Sequence, residues 1–154
     1  MSKISIEDIK KLRLMTGVGM TDAKQALIEA GGDFDQALEV MKAKGLAKAE
    51  SRADRQARAG LIETYNHDGR IGVVLELNCE SDFVAKTDEF KTLAKELCLQ
   101  IAASGSDTVQ QLAKEPYIRD PAKTVQELIK EYIAQLGENI IIRRFSRLTL
   151  GQSE

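Results

Sequence analysis

The spacing of the apolar residues changes at about residue 60 of this 154-residue chain, and this change restricts the folds that it can adopt. Before that point, apolar residues recur every three or four positions, which is typical of helices with one buried face. In residues 71–77 one apolar residue stands at every second position, as in a strand with one buried face. Helical spacing then returns, so the sequence predicts an α+β protein.

Capping residues and glycines predict three short helices in residues 1–45. Ser5 and Asp33 are expected to cap the first and third helices, because their side chains can accept hydrogen bonds from free backbone N–H groups. Gly31 and Gly32 are expected to stop the second helix, and Gly45 to lie beyond the end of the third. A three-helix module of this size has no cleft large enough for chemistry, so we expect a docking domain. The residues predicted to face its core are Ile6, Ile9, Leu12, Ala23, Ala26, Leu27, Ala30, Phe34, Ala37, Leu38 and Met41.

A basic stretch follows in residues 42–58, where lysine and arginine outnumber acidic residues and no apolar ladder occurs. We expect a solvated helix or connector there, with contact to phosphate or to an acidic partner as the alternative. The predicted division is a three-helix domain in residues 1–45, a charged helical connector in 46–59 and an α+β core domain in 60–154. The net charge of −2 argues against dedicated nucleic-acid binding by the whole chain.

The predicted core domain begins with a hairpin of two strands, at 61–65 and 70–78, joined by a turn at 66–69. Thr87 is expected to cap a following helix, and a short helix is expected after residues 107–108. Asp120 and Pro121 are expected to open a third helix that Gly137 ends, and residues 139–150 to form the closing strand. This order predicts an antiparallel three-stranded sheet packed with helices.

Few residues are available for chemistry. His67 is the single histidine, and we expect it in a solvated turn rather than in a catalytic triad. Cys79 and Cys98 form no CxxC motif, so we expect reduced and buried thiols. The sequence contains no membrane-spanning stretch, signal peptide or phosphate-binding glycine motif. We therefore expect that the protein binds neither a metal nor a cofactor. We also expect it to be intracellular.

Ser81, Asp82, Phe83 and Val84 stand out, because they place bulky apolar residues in the connection between a strand and a helix. One interpretation is that Phe83 and Val84 fold back under the helix as a hydrophobic staple. The other is that Phe83 is an exposed aromatic knob that fills a pocket on a partner. Met15 and Met20, beside a glycine loop, are equally open to two interpretations, core filling or an adaptable contact surface.

Three segments of the chain resemble the translation elongation factor Ts family. They are residues 16–27 (TGVGMTDAKQAL), residues 78–86 (NCESDFVAK) and residues 137–144 (GENIIIRR). The segments occur in the family's order, and the resemblance covers nearly the whole chain. In the second segment, Ser81 replaces the threonine that is usual in the family and keeps its hydroxyl group.

The resemblance implies a ubiquitin-associated-like N-terminal domain and guanine-nucleotide exchange on elongation factor Tu, in its GDP-bound and nucleotide-free states. It implies that residues 81–84 dislocate the Mg²⁺ of the GTPase, with Asp82 and Phe83 inserting between its helices. Such a factor acts by binding, needs no catalytic residue and works in the cytoplasm. The resemblance also implies docking of the N-terminal domain near the nucleotide site, and the residues expected to take part are Leu12, Gly17, Val18, Gly19 and Met20.

Length separates this chain from longer family members, which continue into a second core half. Either the contact made by that half is absent, or a second copy of the chain supplies it; we expect a homodimer, through an exposed strand edge at residues 139–149. Two alternative functions remain at this point. One is an adaptor with an inert core, and the other is a ribosome-associated RNA-binding accessory protein that uses Arg143, Arg144 and Arg147 on phosphates.

Overall fold

A computed structural model describes residues 3–16 and 18–152. Two hydrophobic clusters are present, one within the first three helices and one between the sheet and the later helices. The elements in chain order are α1 (Ile6–Thr16), α2 (Met20–Glu29), α3 (Phe34–Ser51), β1 (Ala59–His67), β2 (Ile71–Cys79), α4 (Asp82–Ala85), α5 (Asp88–Ala103), α6 (Val109–Lys114), β3 (Pro116–Tyr117), β4 (Asp120–Thr124), α7 (Val125–Leu136) and β5 (Ile141–Thr149).

Helices α1, α2 and α3 surround the first cluster. The Ser5 hydroxyl accepts a hydrogen bond from the N–H of Asp8 at 3.0 Å, and the Asp33 carboxylate accepts one from Gln36 at 3.1 Å, so both predicted caps are confirmed. Leu12 and Met41 are fully buried in this cluster. The prediction that Ile6 faces the core is wrong, because it lies in the first turn of α1 and is 62% exposed.

Helix α3 is longer than the sequence predicts. It runs through Gly45 to Ser51, so the prediction that Gly45 lies beyond its end is wrong. The reason is tertiary: Gly45 is buried where α3 packs against α7, and a side chain there would meet Ala134. Because packing favours the continuous helix, glycine's low helix propensity does not end it. Ala49, one turn further along α3, belongs to the second hydrophobic cluster, whereas Met41 belongs to the first. Helix α3 therefore contributes to both clusters.

The sheet is antiparallel with strand order β1-β2-β5, which makes β2 the central strand. The β1–β2 hairpin turns at Asp68 and Gly69, which both have positive φ, and the carbonyl of His67 accepts a hydrogen bond from the N–H of Arg70 at 2.9 Å across this turn. Val73, Leu75 and Leu77 on β2 are buried beneath α5, as their spacing predicts. The α+β class and the three-stranded antiparallel sheet with packed helices are thereby confirmed.

The last helix does not begin where the sequence suggests. Asp120 and Pro121 lie in β4, which pairs with β3, so the prediction that they open a helix is wrong. Helix α7 begins at Val125, after Thr124, whose hydroxyl accepts a hydrogen bond from the N–H of Glu127 at 3.2 Å. The side-chain cap at Thr124 and the β3–β4 pairing together delay the helix by one turn. Within the described residues, we find no helix with the length and apolar character needed to cross a membrane.

Candidate partner-binding site

The segment singled out in the sequence forms α4, a single helical turn between β2 and α5. Ser81 caps this turn, because its hydroxyl accepts a hydrogen bond from the N–H of Val84 at 3.3 Å. Thr87 caps the next helix by accepting from Phe90 at 3.2 Å, as predicted. The connection is therefore a pair of capped turns with a defined backbone rather than an irregular loop.

Phe83 and Val84 point in opposite directions. The Phe83 side chain is 81% exposed, whereas Val84 is 5% exposed and belongs to the second hydrophobic cluster. Phe83 therefore does not fold back under the helix as the staple interpretation requires, whereas Val84 is buried in the core. Asp82 is also exposed, so an acid and an aromatic ring project side by side from a turn that Val84 anchors. An exposed aromatic residue on a fixed backbone has the properties of a binding anchor.

Glu138 holds this turn from the opposite side. Its Oε1 accepts hydrogen bonds from the backbone N–H groups of Glu80 at 3.1 Å and Ser81 at 2.9 Å. Its Oε2 accepts a third from the Ser81 hydroxyl at 2.7 Å. Sequence reasoning assigned no role to Glu138, because nothing local shows that residues 80 and 138 meet. They meet because β5 lies beside β2 in the sheet.

The connector after α3 reaches the same place. The amide of Asn139 donates hydrogen bonds to the backbone carbonyls of Ala53 at 3.3 Å and Arg55 at 2.8 Å. Arg55 also lies 3.7 Å from the carboxylate of Glu80. The segment between the two hydrophobic clusters is therefore attached to the core beside the Ser81 turn.

The residues expected to dock on a partner divide into two groups. Leu12 and Val18 are buried, at 0% and 6% exposure, so in this conformation their side chains cannot contact a partner directly. They pack in the first cluster because α1 and α2 meet there. Gly19 is exposed and Met20 is 38% exposed. Gly17 lies outside the described residues.

Exposed apolar residues that the sequence analysis did not assign to docking lie nearby. Leu14 is 83% exposed and Met15 is 57% exposed on the last turns of α1, so the contact-surface interpretation of Met15 and Met20 is the one that their exposure favours. A groove of about 530 Å³ separates this part of the N-terminal helices from α7. Its lining residues are Lys10, Arg13, Leu14, Met20 and Gln135.

One thiol contacts this site, because Cys79 donates a hydrogen bond to the backbone carbonyl of Ser81 at 3.1 Å. Cys79 and Cys98 are free and buried, as predicted, and burial raises the pKa of Cys79 to about 11 and that of Cys98 to about 12. Thiols with such pKa values are weak nucleophiles at neutral pH. His67 is exposed at the end of β1, where its Nδ1 lies 2.8 Å from the hydroxyl of Tyr65.

The arginines considered for RNA binding are engaged within the molecule. Arg143 donates to the side chain of Asn78 at 3.0 Å and to the carbonyl of Ala57 at 3.0 Å. Arg144 and Arg147 likewise donate hydrogen bonds to groups of this chain. Each guanidinium carries five N–H donors, so these bonds leave donors free, and the Arg144 side chain is 79% exposed. The acceptors for Arg144 and Arg147 are Glu76 and the carbonyl of Ile101.

The fold and the site define a two-cluster α+β protein whose candidate site projects from the surface, as in a protein that acts by binding a partner. Comparison with known proteins agrees with this class. The family model described as "Elongation factor TS" matches residues 80–154. Elongation factor Ts of Caldanaerobacter subterraneus subsp. tengcongensis is 42% identical, with 97% of this chain and 98% of the relative covered. Elongation factor Ts of Coprothermobacter proteolyticus is 40% identical, with 97% and 100% covered.

The chain belongs to the elongation factor Ts family of translation elongation factors. Family members differ in length from this chain in two ways. The alignment with the Caldanaerobacter relative extends over 195 residues, which exceeds the 154 residues of this chain, so the relative contains residues without a counterpart here. Elongation factor Ts of Nostoc is 47% identical over 97% of this chain, which spans 48% of that relative.

Proposed function

We propose that this protein is a guanine-nucleotide exchange factor for elongation factor Tu, and that it promotes GDP release by displacing the Mg²⁺ of the GTPase. The observation that carries the proposal is the 81% exposure of Phe83 on a turn whose backbone is fixed on both sides. A buried Phe83 would have no means of reaching a partner. Membership in the elongation factor Ts family and the match of residues 78–86 to the family pattern support the same function.

The proposed mechanism is a coupling between two binding events. Phe83 and Asp82 insert between helices of the GTPase, and this binding favours the form in which the Mg²⁺ contacts are disturbed. Losing the Mg²⁺ removes the largest positive charge that holds the diphosphate. Since linkage is reciprocal, a factor that prefers the nucleotide-free GTPase must weaken GDP binding by the same factor. No acid, base, nucleophile or cofactor of this chain is required, so the protein is not an enzyme in this mechanism.

The N-terminal helices dock on the GTPase in this proposal. The exposed apolar side chains of Leu14, Met15 and Met20 offer an adaptable contact surface, since methionine adjusts to the shape of a partner. Leu12 and Val18 support that surface from the core beneath it. The protein works where translation takes place, in the cytoplasm, without direct contact to nucleic acid.

We also propose that two copies form a homodimer, with the edge of β5 as the seam. Strand β5 has β2 on one side and no strand on its other side among the described residues. Leu148 is 77% exposed on this strand, and Leu150 is 72% exposed just after it. An apolar, unpaired strand edge favours pairing with another strand. A dimer with two-fold symmetry is the commonest assembly that pairs such an edge.

The experiment that tests the exchange function measures the release of labelled GDP from elongation factor Tu with substoichiometric amounts of this protein. The wild type should accelerate release, and Phe83→Ala should reduce the stimulated rate by roughly one to two orders of magnitude, the value of burying a phenylalanine. Ile118→Ala, which removes apolar surface from another exposed site, is the matched control and should exchange normally. Failure of the wild type to accelerate release would leave the adaptor function as the better account.

A further inference from the structure

We propose that Glu138 is a positioning residue for nucleotide exchange, which holds the turn that presents Asp82 and Phe83 to the GTPase. The inference rests on the proposed function, since it concerns the same turn. It goes beyond that function because Glu138 lies on another segment of the chain, 57 residues from Ser81. It has no role in the mechanism described above.

One carboxylate satisfies three donors of the turn. The N–H groups of Glu80 and Ser81 converge on Oε1, and the Ser81 hydroxyl donates to Oε2 at 2.7 Å. Hydrogen bonds to an ionised carboxylate are shorter and stronger than bonds between neutral groups. The Ser81 oxygen also accepts from the N–H of Val84, so the hydroxyl links Glu138 to the helical turn itself.

Residues 80–81 and residues 138–139 each donate hydrogen bonds to the other segment. While Glu138 accepts from residues 80 and 81, the carboxylate of Glu80 accepts from the N–H of Asn139 at 2.8 Å. Gly137 ends α7 in the left-handed conformation, with φ 78°, immediately before Glu138. This sharp end lets the chain turn from α7 towards β5 at the point where Glu138 meets the turn.

Phe83 depends on this support because little else restrains it. A side chain that is 81% exposed has few contacts of its own, so its position follows that of its backbone. That backbone is held by Val84 in the core, by the Ser81 cap, by the Cys79 thiol that donates to the Ser81 carbonyl and, through Ser81, by Glu138. Loss of the carboxylate would leave two backbone N–H groups without their acceptor and let the turn move.

The test combines GDP release from elongation factor Tu with amide hydrogen exchange of the free protein. Glu138→Ala should slow stimulated release by between about tenfold and about 10²-fold. The upper value is the effect expected when a functional group is misplaced by about 1 Å. Glu138→Gln keeps a carbonyl acceptor for the two N–H groups, and should stay within about threefold of the wild type. Glu127→Ala, which removes an exposed carboxylate from α7, is the control and should have no effect.

A double mutant separates positioning from general destabilisation. If Glu138 acts through Phe83, Glu138→Ala should add less than about twofold in a Phe83→Ala background, because interacting sites are not additive. The amides of Glu80, Ser81 and Val84, which donate hydrogen bonds to Glu138 or to the Ser81 hydroxyl, should exchange faster in Glu138→Ala, while those of α5 keep their protection. Equal slowing in both backgrounds, or unchanged amide exchange, would overturn the inference.

The two proposals fail in different ways. Normal exchange by Glu138→Ala together with slow exchange by Phe83→Ala overturns the positioning role and leaves the proposed function intact. Normal exchange by both variants overturns the proposed use of Phe83. The amide exchange of Glu80, Ser81 and Val84 then decides alone whether Glu138 holds the turn.

Discussion

Gly45 on α3 lies directly against Ala134 on α7: a Cβ added at Gly45 would stand 3.3 Å from the Cβ of Ala134. This contact brings the helix that begins in the N-terminal domain onto the core. Arg52, near the end of the same helix, donates a hydrogen bond to the carbonyl of Ile133 at 3.0 Å, and Lys130 lies 3.4 Å from Glu50. The N-terminal helices are therefore attached to the core by packing as well as by the chain.

We predict that Gly45→Leu will separate α3 from α7. A leucine cannot fit at this distance without moving a helix, and overpacking of this kind costs about 1–3 kcal/mol of stability. Denaturant unfolding measures the loss, and titration with elongation factor Tu should show weaker binding. Ala47→Leu, at an exposed position of the same helix, is the control. Unchanged stability of Gly45→Leu would show that the contact between these helices is not tight.

We predict opposite results for two neighbouring alanine variants of α4. Val84→Ala removes buried apolar groups and should lower the free energy of unfolding by about 1.5–3 kcal/mol. Phe83→Ala should change it by less than about 0.5 kcal/mol, because no cavity forms around an exposed ring. Thermal unfolding of both proteins provides the comparison. If Phe83→Ala is the less stable variant, the ring is buried in solution and cannot serve as a partner anchor.

The two cysteines provide a prediction about pH. Burial is the largest cause of the raised pKa values of Cys79 and Cys98, about 11 and about 12 against an ordinary value of 9.0. The folded protein thus holds these protons more tightly than the unfolded chain, so this stabilisation is complete below about pH 9 and is lost as pH rises through the folded pKa values. Unfolding measured between pH 8 and 11 should show a smaller loss of stability in a Cys79→Ala/Cys98→Ala variant.

The thiols should also react slowly in the folded protein. At pH 8 both remain protonated, and labelling by a thiol reagent should require opening of the structure. Addition of denaturant should make both sites react rapidly. Rapid labelling of the native protein at either site would contradict the burial on which this prediction rests.

The homodimer proposal predicts a species of twice the monomer mass of 17.0 kDa in light scattering. At tens of micromolar protein, a dimer with a Kd of about 1 μM would be well populated. Leu148→Asp places a charge on the proposed seam and should produce the monomer. Ile62→Asp, on the opposite edge strand β1, is the matched control. A monomer in the wild type, or a dimer that only Ile62→Asp disrupts, would contradict the proposed seam.

Much of the fold follows from local sequence. Some features depend only on residues within a few positions of each other, so the local sequence is enough to predict them. They are the caps at Ser5, Asp33 and Thr87 and the hairpin turn at Asp68. The apolar positions of α5 and β2 follow in the same way from their periods. The sequence also singled out residues 81–84 as unusual, since bulky apolar residues are not required in such a connection.

Tertiary structure decided the features that depend on distant partners. Whether Gly45 ends a helix depends on the close approach of α7, and whether Pro121 opens one depends on pairing between β3 and β4. The hydrogen bond between Glu138 and Ser81, 57 residues apart in the chain, depends on strand order, which brings the two residues together. The direction of Phe83 depends on Val84 filling the core instead. Local sequence determines which backbone conformations are low in free energy. Contacts between distant segments select among these conformations, because burial and hydrogen bonding between segments occur only where the segments meet.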